Sequence, residues 1–253
     1  MLGLFSRDNS ARQKNGEKKP EEANSDPKIE FFTEVEALPD IVPIQAGARS
    51  MPAWWKQTPA AAPSTDPRIE AGTVKVCPAF PDFYSAAYVV PAWCDFIFDF
   101  NDGNVRARTS APDIFSLSFH GAGQFLQHGP ASLREKVVTV MKLNSPWLVR
   151  TSPGYSVLQL PMFYEFDPRF SVMPGTIRSD VHHEINQQVM IHVKDSFVVE
   201  RGTPLAMYIP FKREQFAFSA GEATDEQRHA LKKSLLEIET KFRRGYRKNT
   251  GQG

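Results

Sequence analysis

Between residues 95 and 211 apolar side chains recur at every second position, in short runs that end at Pro, Gly, Asn or Asp. Period two is the pattern of strands with one buried face, and it excludes a helical bundle. The clearest run is Asp95-Phe96-Ile97-Phe98-Asp99-Phe100, which puts Phe96, Phe98 and Phe100 on one face. Asn101-Asp102-Gly103-Asn104 follows, and Asp-Gly is a favoured two-residue hairpin turn. The return run Val105-Arg106-Ala107-Arg108-Thr109 turns both arginines to the opposite face. Further strands are predicted at 137–143, 147–150 and 155–160, separated by Asn144-Ser145-Pro146 and Ser152-Pro153-Gly154 turns. Residues 183–193 place Ile185, Val189, Ile191 and Val193 on one face, with Glu184, Asn186, Gln188 and His192 on the other. After a short strand at 197–200, Leu205, Met207, Ile209 and Phe211 share one side of the last strand. Twenty prolines and nineteen phenylalanines in 253 residues suit such short strands and many turns. The predicted fold is mainly β, an all-β barrel or sandwich core over residues 77–219.

The flanks read differently. Residues 1–28 are polar and charged after the apolar start Met1–Phe5, and they bury too little to offset ordering entropy, so a disordered arm is predicted. Residues 29–76 read as an extended Pro/Trp-rich segment wrapped over the core and pinned by Trp54 and Trp55. Those indoles serve either as anchors or as a stacking platform for a base or sugar. In residues 220–253 the period changes to that of a helix: Thr224 caps it with Gln227 as capping-box partner, and Leu231, Leu235, Ile238 and Phe242 form one stripe. Lys241, Arg243, Arg244, Arg247 and Lys248 give a basic end, a solvated terminus or a nucleic-acid clamp.

Thirty Lys and Arg against twenty-nine Asp and Glu leave no global field for nucleic acid or anionic lipid. Cys77 and Cys94 sit in apolar settings and read as buried free thiols, with no CxxC pair for a metal. No stretch is long enough to span a membrane, and MLGLF is too short for a signal peptide, so a soluble cytosolic protein is expected. Candidates for chemistry are few. If residues 180–184 are strand, Asp180, His182 and Glu184 share a face and form a possible divalent-metal set; a solvated or subunit-facing strand explains them equally. His120 follows an alternating run and either ends that strand or lines the glycine loop after it.

Three segments carry a resemblance: Pro153-Gly154-Tyr155, then Pro174-Gly175-Thr176-Ile177-Arg178-Ser179-Asp180-Val181, then Val199-Glu200-Arg201-Gly202-Thr203-Pro204-Leu205-Ala206. In order and spacing they resemble the core of the trimeric dUTPase-like, or β-clip, proteins over residues 146–212. The chain as a whole, with CPAFPDFY, the SPW turn and the GTP corner, is similar to an uncharacterised family found largely in tailed bacteriophages. The resemblance implies a β-clip-like core, a homo-oligomer with a trimer favoured, and sites at subunit junctions. Arg178 stands where that family has the carboxylate that activates water, and guanidinium cannot take a proton. Val181 replaces the stacking tyrosine, and Met162-Phe163-Tyr164 replaces the phosphate-holding Arg-Ser-Gly. Asp180 alone keeps its matched position.

dUTP pyrophosphatase activity is therefore expected to be absent, with no cofactor. The function expected is a non-enzymatic, phage-type accessory or structural protein acting by binding. The alternative is a nucleotide- or metal-binding protein or enzyme with altered chemistry at the same pocket. The ligand-binding or junction residues are Arg178, Asp180, His182, Glu184, Tyr155, Trp54, Trp55 and His120. Residues 1–28 are the expected contact for a phage or host protein, in the cytoplasm of an infected bacterium or in the virion.

Overall fold

The computed structural model describes residues 26–63, 66, 72–101, 104–165 and 167–236. The predicted disordered arm up to residue 25, the Asp102-Gly103 turn, Ile238, Phe242 and the basic C-terminal end lie outside the described residues. Along the chain run β1 (Ile29–Thr33), α1 (Leu38–Ile41), β2 (Gln45–Ala46), α2 (Ala53–Gln57), α3 (Ala79–Ser85), β3 (Tyr88–Pro91), β4 (Phe96–Asn101) and β5 (Asn104–Thr109). They continue with β6 (Leu117–His120), α4 (Ala131–Lys136), β7 (Thr139–Thr151), β8 (Tyr155–Pro161), β9 (Phe170–Val172), β10 (Gly175–Ile177), β11 (Glu184–Ile191), β12 (Phe197–Val199) and β13 (Pro204–Lys212).

Among the described residues the strands form three antiparallel sheets, and none closes into a barrel. The first has the order β1-β7-β11-β9, with β6 also on β7; the second is β10-β8-β13-β3-β2; the third is β12-β4-β5. Short strands and the alternation of apolar residues account for this architecture. In β4, Phe96 and Phe98 are buried, and Asn101 pairs with Asn104, as a two-residue hairpin requires. Arg106 and Arg108 are exposed on the other face, where Arg108 lies 3.8 Å from Asp99.

One predicted turn is strand. Asn144-Ser145-Pro146 lies inside β7, a thirteen-residue strand that joins two predicted ones. β6 pairs with residues 140–143 and β1 with 147–151, so Pro146 falls in the gap between those partners. On the other side, the register with β11 shifts between Glu184 and Asn186, opposite the same residues. A bulge and an edge gap are the two places where a strand tolerates a residue with no N–H to donate.

The main core lies between the sheets and includes Trp93, Met141, Ile185, Ile191 and Tyr208. A second, smaller core covers the other face of the second sheet. Successive residues serve the two: Val89 and Met207 face the smaller core, while Val90 and Tyr208 face the main one. Met51, Trp55, Phe80, Phe83 and Tyr84 supply the cover. Gly47 is packed so closely there that an added Cβ would lie 2.2 Å from the Tyr84 carbonyl oxygen. The segment predicted as extended is thus partly helical, in α1, α2 and the 3-10 turns Gly47–Ser50 and Val74–Val76. Cys94 is buried, and burial pushes its thiol up to about 12. Cys77, expected inside, is exposed just after a 3-10 turn.

The chain divides into two compact units after Arg213. In the second, the predicted capping box is present: Gln227 N–H donates to Thr224 Oγ1 at 3.2 Å, and Thr224 N–H donates to Gln227 Oε1 at 2.8 Å. Residues 225–236 are helical, and Leu231 and Leu235 on the predicted stripe are exposed. Among the described residues no helix is long and apolar enough to cross a membrane.

Candidate functional site

The corner that carries Arg178 is a turn, not a strand. The N–H groups of Val181 and His182 both donate to the Arg178 carbonyl, at 3.0 and 2.8 Å, and β11 begins only at Glu184. Beneath it, the Thr151 and Ser179 hydroxyls are 2.7 Å apart and buried. His183 Nδ1 donates to the carbonyls of Val149 (3.2 Å) and Ser179 (3.1 Å), tying the turn to β7. Glycine is needed at Gly154, whose φ of +84° in the turn before β8 is a left-handed conformation.

Asp180 holds this corner together. Arg213, one residue past β13, reaches back with Nη1 to Asp180 Oδ1 at 2.9 Å and with Nη2 to Oδ2. The Gly154 N–H adds a third donor to Oδ2 at 3.0 Å. Arg213 Nη1 also donates to the Ser156 hydroxyl at 2.8 Å and to the Tyr155 carbonyl. The side chain of Asp180 is only 8% exposed. The hydrogen bonds from Arg213, and more weakly that from Gly154, hold its carboxyl down to about 2 against the opposing effect of burial. A carboxylate that weakly basic, with both oxygens engaged, is a poor proton acceptor.

The other predicted site residues are scattered. Arg178, Val181 and His182 are exposed at the tip of the turn, and the Arg178 guanidinium has no partner among the described residues. Val181 is 71% exposed. Glu184 is exposed and takes a long hydrogen bond, 3.4 Å, from Asn186. The strand on which the metal set depended is absent, because the Arg178 carbonyl closes the turn and Arg213 draws Asp180 away. Among the described residues no three His, Cys, Asp or Glu side chains come together as a ligand set. Tyr155 is half-buried at the start of β8, and its carbonyl rather than its ring serves the corner. His120 ends β6, with Nε2 buried and without a hydrogen-bond partner among the described residues.

Trp54 and Trp55 lie elsewhere, in an aromatic cluster with Phe80, Tyr84 and Tyr164. Trp55 stacks on Phe80 at 5.1 Å and 3°, and Lys75 Nζ lies 3.9 Å from the Trp55 ring centroid. Trp54 packs edge-on against Phe80 and donates its Nε1–H to the Tyr164 carbonyl at 2.8 Å. The Tyr84 hydroxyl donates to the Phe163 carbonyl at 2.8 Å. These donors fasten the loop after β8, in which Tyr164 takes a φ of +69°, a conformation that costs a bulky residue energy. Both indoles thus make packing contacts within this cluster.

The fastened loop forms one wall of a cavity of about 540 Å³, bounded on the other side by β9 and the residues 203–205. Within the wall, Arg169 pairs with Asp167 through Nε (3.0 Å) and Nη2 (2.8 Å) and donates from Nη1 to the Val198 carbonyl at 3.2 Å. Those bonds with Arg169 lower the Asp167 carboxyl despite its burial. Ser171, also in this wall, bonds His192 at 2.8 Å. Arg213, Ser171 and the cavity went unpredicted, since the partners lie 33 and 21 positions apart in sequence with no motif to join them.

No family model matches the chain, and no curated protein matches it. Among solved structures it is similar to a mutant dUTPase from phage phi11 of S. aureus, at 8% identity and a TM-score of 0.35, over 78% of this chain and 99% of that one. It is similar also to a mutant dUTPase of Staphylococcus bacteriophage 80alpha, at 9% identity and a TM-score of 0.30, over 56% of this chain and 85% of that one. The likeness to dUTPases is weak in identity and in superposition alike.

Proposed function

We infer that the chain acts by binding through the Arg178 corner, as a non-enzymatic, phage-type accessory or structural protein on a degenerate dUTPase-like scaffold. The observation that carries this reading is the state of Asp180: it is consumed by Arg213 and Gly154 and is too weak a base to activate water. Arg178 is exposed at the tip with no partner among the described residues, and its guanidinium offers donors and no acceptor. A turn fixed from beneath by Asp180, Ser179 and His183 also loses little entropy on docking, which favours a binding role. The oligomer belongs to the same reading, with the exposed Arg178, Val181 and His182 at a junction between subunits.

The exposed guanidinium also favours a second reading, retention of an anionic ligand such as a nucleotide phosphate. One experiment separates the possibilities: pyrophosphate release from dUTP with Mg²⁺, alongside thermal shifts with dUTP and dUMP. The binder predicts no release above a protein-free blank and no shift. Stabilisation by dUTP that disappears in Arg178→Ala selects the nucleotide pocket instead. Steady hydrolysis removes both the binder and the argument from Asp180.

A further inference from the structure

Ser171 sits in the middle of β9 between Phe170 and Val172, both of which turn into the core, so its hydroxyl points the other way. It pairs with Met190 of β11, which brings His192, two residues on, to the diagonal position within side-chain reach. The His192 backbone is itself held, its N–H donating to the Arg169 carbonyl at 2.8 Å. Ser171 Oγ and His192 Nε2 are 2.8 Å apart, and His192 Nδ1 faces the Lys136 carbonyl at 3.3 Å. A carbonyl oxygen only accepts, so Nδ1 carries the proton of the neutral ring and Nε2 keeps its lone pair. The Ser171 hydroxyl therefore donates to Nε2. That is the direction in which imidazole takes a proton from a hydroxyl that attacks.

The hydroxyl also has somewhere to put an acyl group. Ser171 lies in the wall of the cavity of about 540 Å³, with Pro161, Met162, Phe163 and Pro204. That volume falls in the range of small-molecule sites, and these neighbours offer an apolar surface. The nearby guanidinium of Arg169 is already committed to Asp167 and Val198.

We propose that Ser171, with His192 as its general base, is an acylation site that accepts a short aliphatic acyl group from an activated ester, the acyl chain lying in the cavity. In this step Ser171 Oγ bonds to the ester carbonyl carbon and its proton passes to His192 Nε2. The bond from that carbon to the leaving oxygen breaks, and the departing aryloxide takes the proton back from His192. The products are acyl-Ser171 and the free phenol, with no other reactant. The proposal goes beyond the reading of the Arg178 corner and shares no residue with it, so either fails without the other.

The probe is p-nitrophenyl butyrate, with nitrophenol release followed by absorbance and the protein by intact mass and peptide mapping. One butyryl group is expected on the peptide carrying Ser171, absent in Ser171→Ala and formed about 10²-fold more slowly, or slower still, in His192→Gln. A butyryl group on another residue, no adduct, or a slowing of less than about tenfold in His192→Gln overturns the proposal. Where His192→Gln fails to fold, the wild-type rate is compared with that of the same chain in urea, which lacks the positioned base. A native rate less than about tenfold above the denatured one also overturns it.

Discussion

Removing one oxygen from Tyr208 tests whether the core is specified by a buried polar chain. Gln187 Nε2 donates to the Tyr208 hydroxyl at 2.9 Å, that hydroxyl donates to Gln159 Oε1 at 2.8 Å, and Gln159 Nε2 donates to the Met173 carbonyl at 3.0 Å. Gln187 and Tyr208 are fully buried and Gln159 is 4% exposed. Tyr208→Phe keeps the ring and its edge contact with Phe31, at 6.1 Å, so it opens almost no cavity. It leaves the Gln187 amide N–H and the Gln159 oxygen without partners. Each orphaned buried group costs about 1–3 kcal/mol, so the loss is about 2–6 kcal/mol. With an m-value of about 2–3 kcal/mol/M, the urea midpoint falls by roughly 0.7–3 M at unchanged m. Equilibrium urea unfolding followed by tryptophan fluorescence and far-UV circular dichroism measures it. Adding Gln187→Leu to Tyr208→Phe removes the orphaned donor and recovers part of the loss. A midpoint shift below about 0.3 M in Tyr208→Phe, under about 1 kcal/mol, refutes the reasoning, because the chain would then contribute nothing beyond shape.

The Asp180 clamp predicts an acid limb. Its carboxyl titrates lower folded than unfolded, so its contribution is fully present above the unfolded value of about 3.9 and is lost as pH falls toward about 2. Melting temperatures between pH 6 and pH 2 should therefore fall less steeply in Asp180→Asn than in wild type below pH 4, from a lower starting value; parallel curves for the two proteins contradict the clamp. Light scattering at micromolar concentration checks the assembly: a trimer is expected, dissociating or weakening in Arg178→Glu, and a wild-type protein that is only monomeric removes the junction.

What the sequence made legible was whatever depends on local order. The β4–β5 hairpin, the alternation of β11, and the Thr224–Gln227 capping box are each set by residues within a few positions, and all are present. Pro146 misled for the same reason: alone it marks a break, and only the gap between β6 and β1 together with the bulge opposite β11 lets a strand run through it. Gln187 shows the limit from the other side. Its position puts it on the inward face with Ile185 and Val189, where a polar amide looks like an error until Tyr208 and Gln159 arrive from two other strands.

The candidate site follows the same rule with larger consequences. Arg178 and Asp180 stood out because they fall in a short run that resembles a family pattern, yet the chemistry of Asp180 is decided by Arg213, 33 residues further on. An aspartate read in isolation is a potential base; the same aspartate between a guanidinium and a backbone amide is a structural strut. Ser171 and His192 run the opposite way, two ordinary polar residues that become a nucleophile and base pair only through the β9–β11 register and the Lys136 carbonyl that fixes the tautomer. A residue's chemistry is a property of its partners, and for this chain the partners that matter come from strands the sequence does not connect. That is why removing the carboxylate by Asp180→Asn and removing the base by His192→Gln are expected to act in different ways: the first loosens a scaffold, and the second slows a reaction on a scaffold left intact.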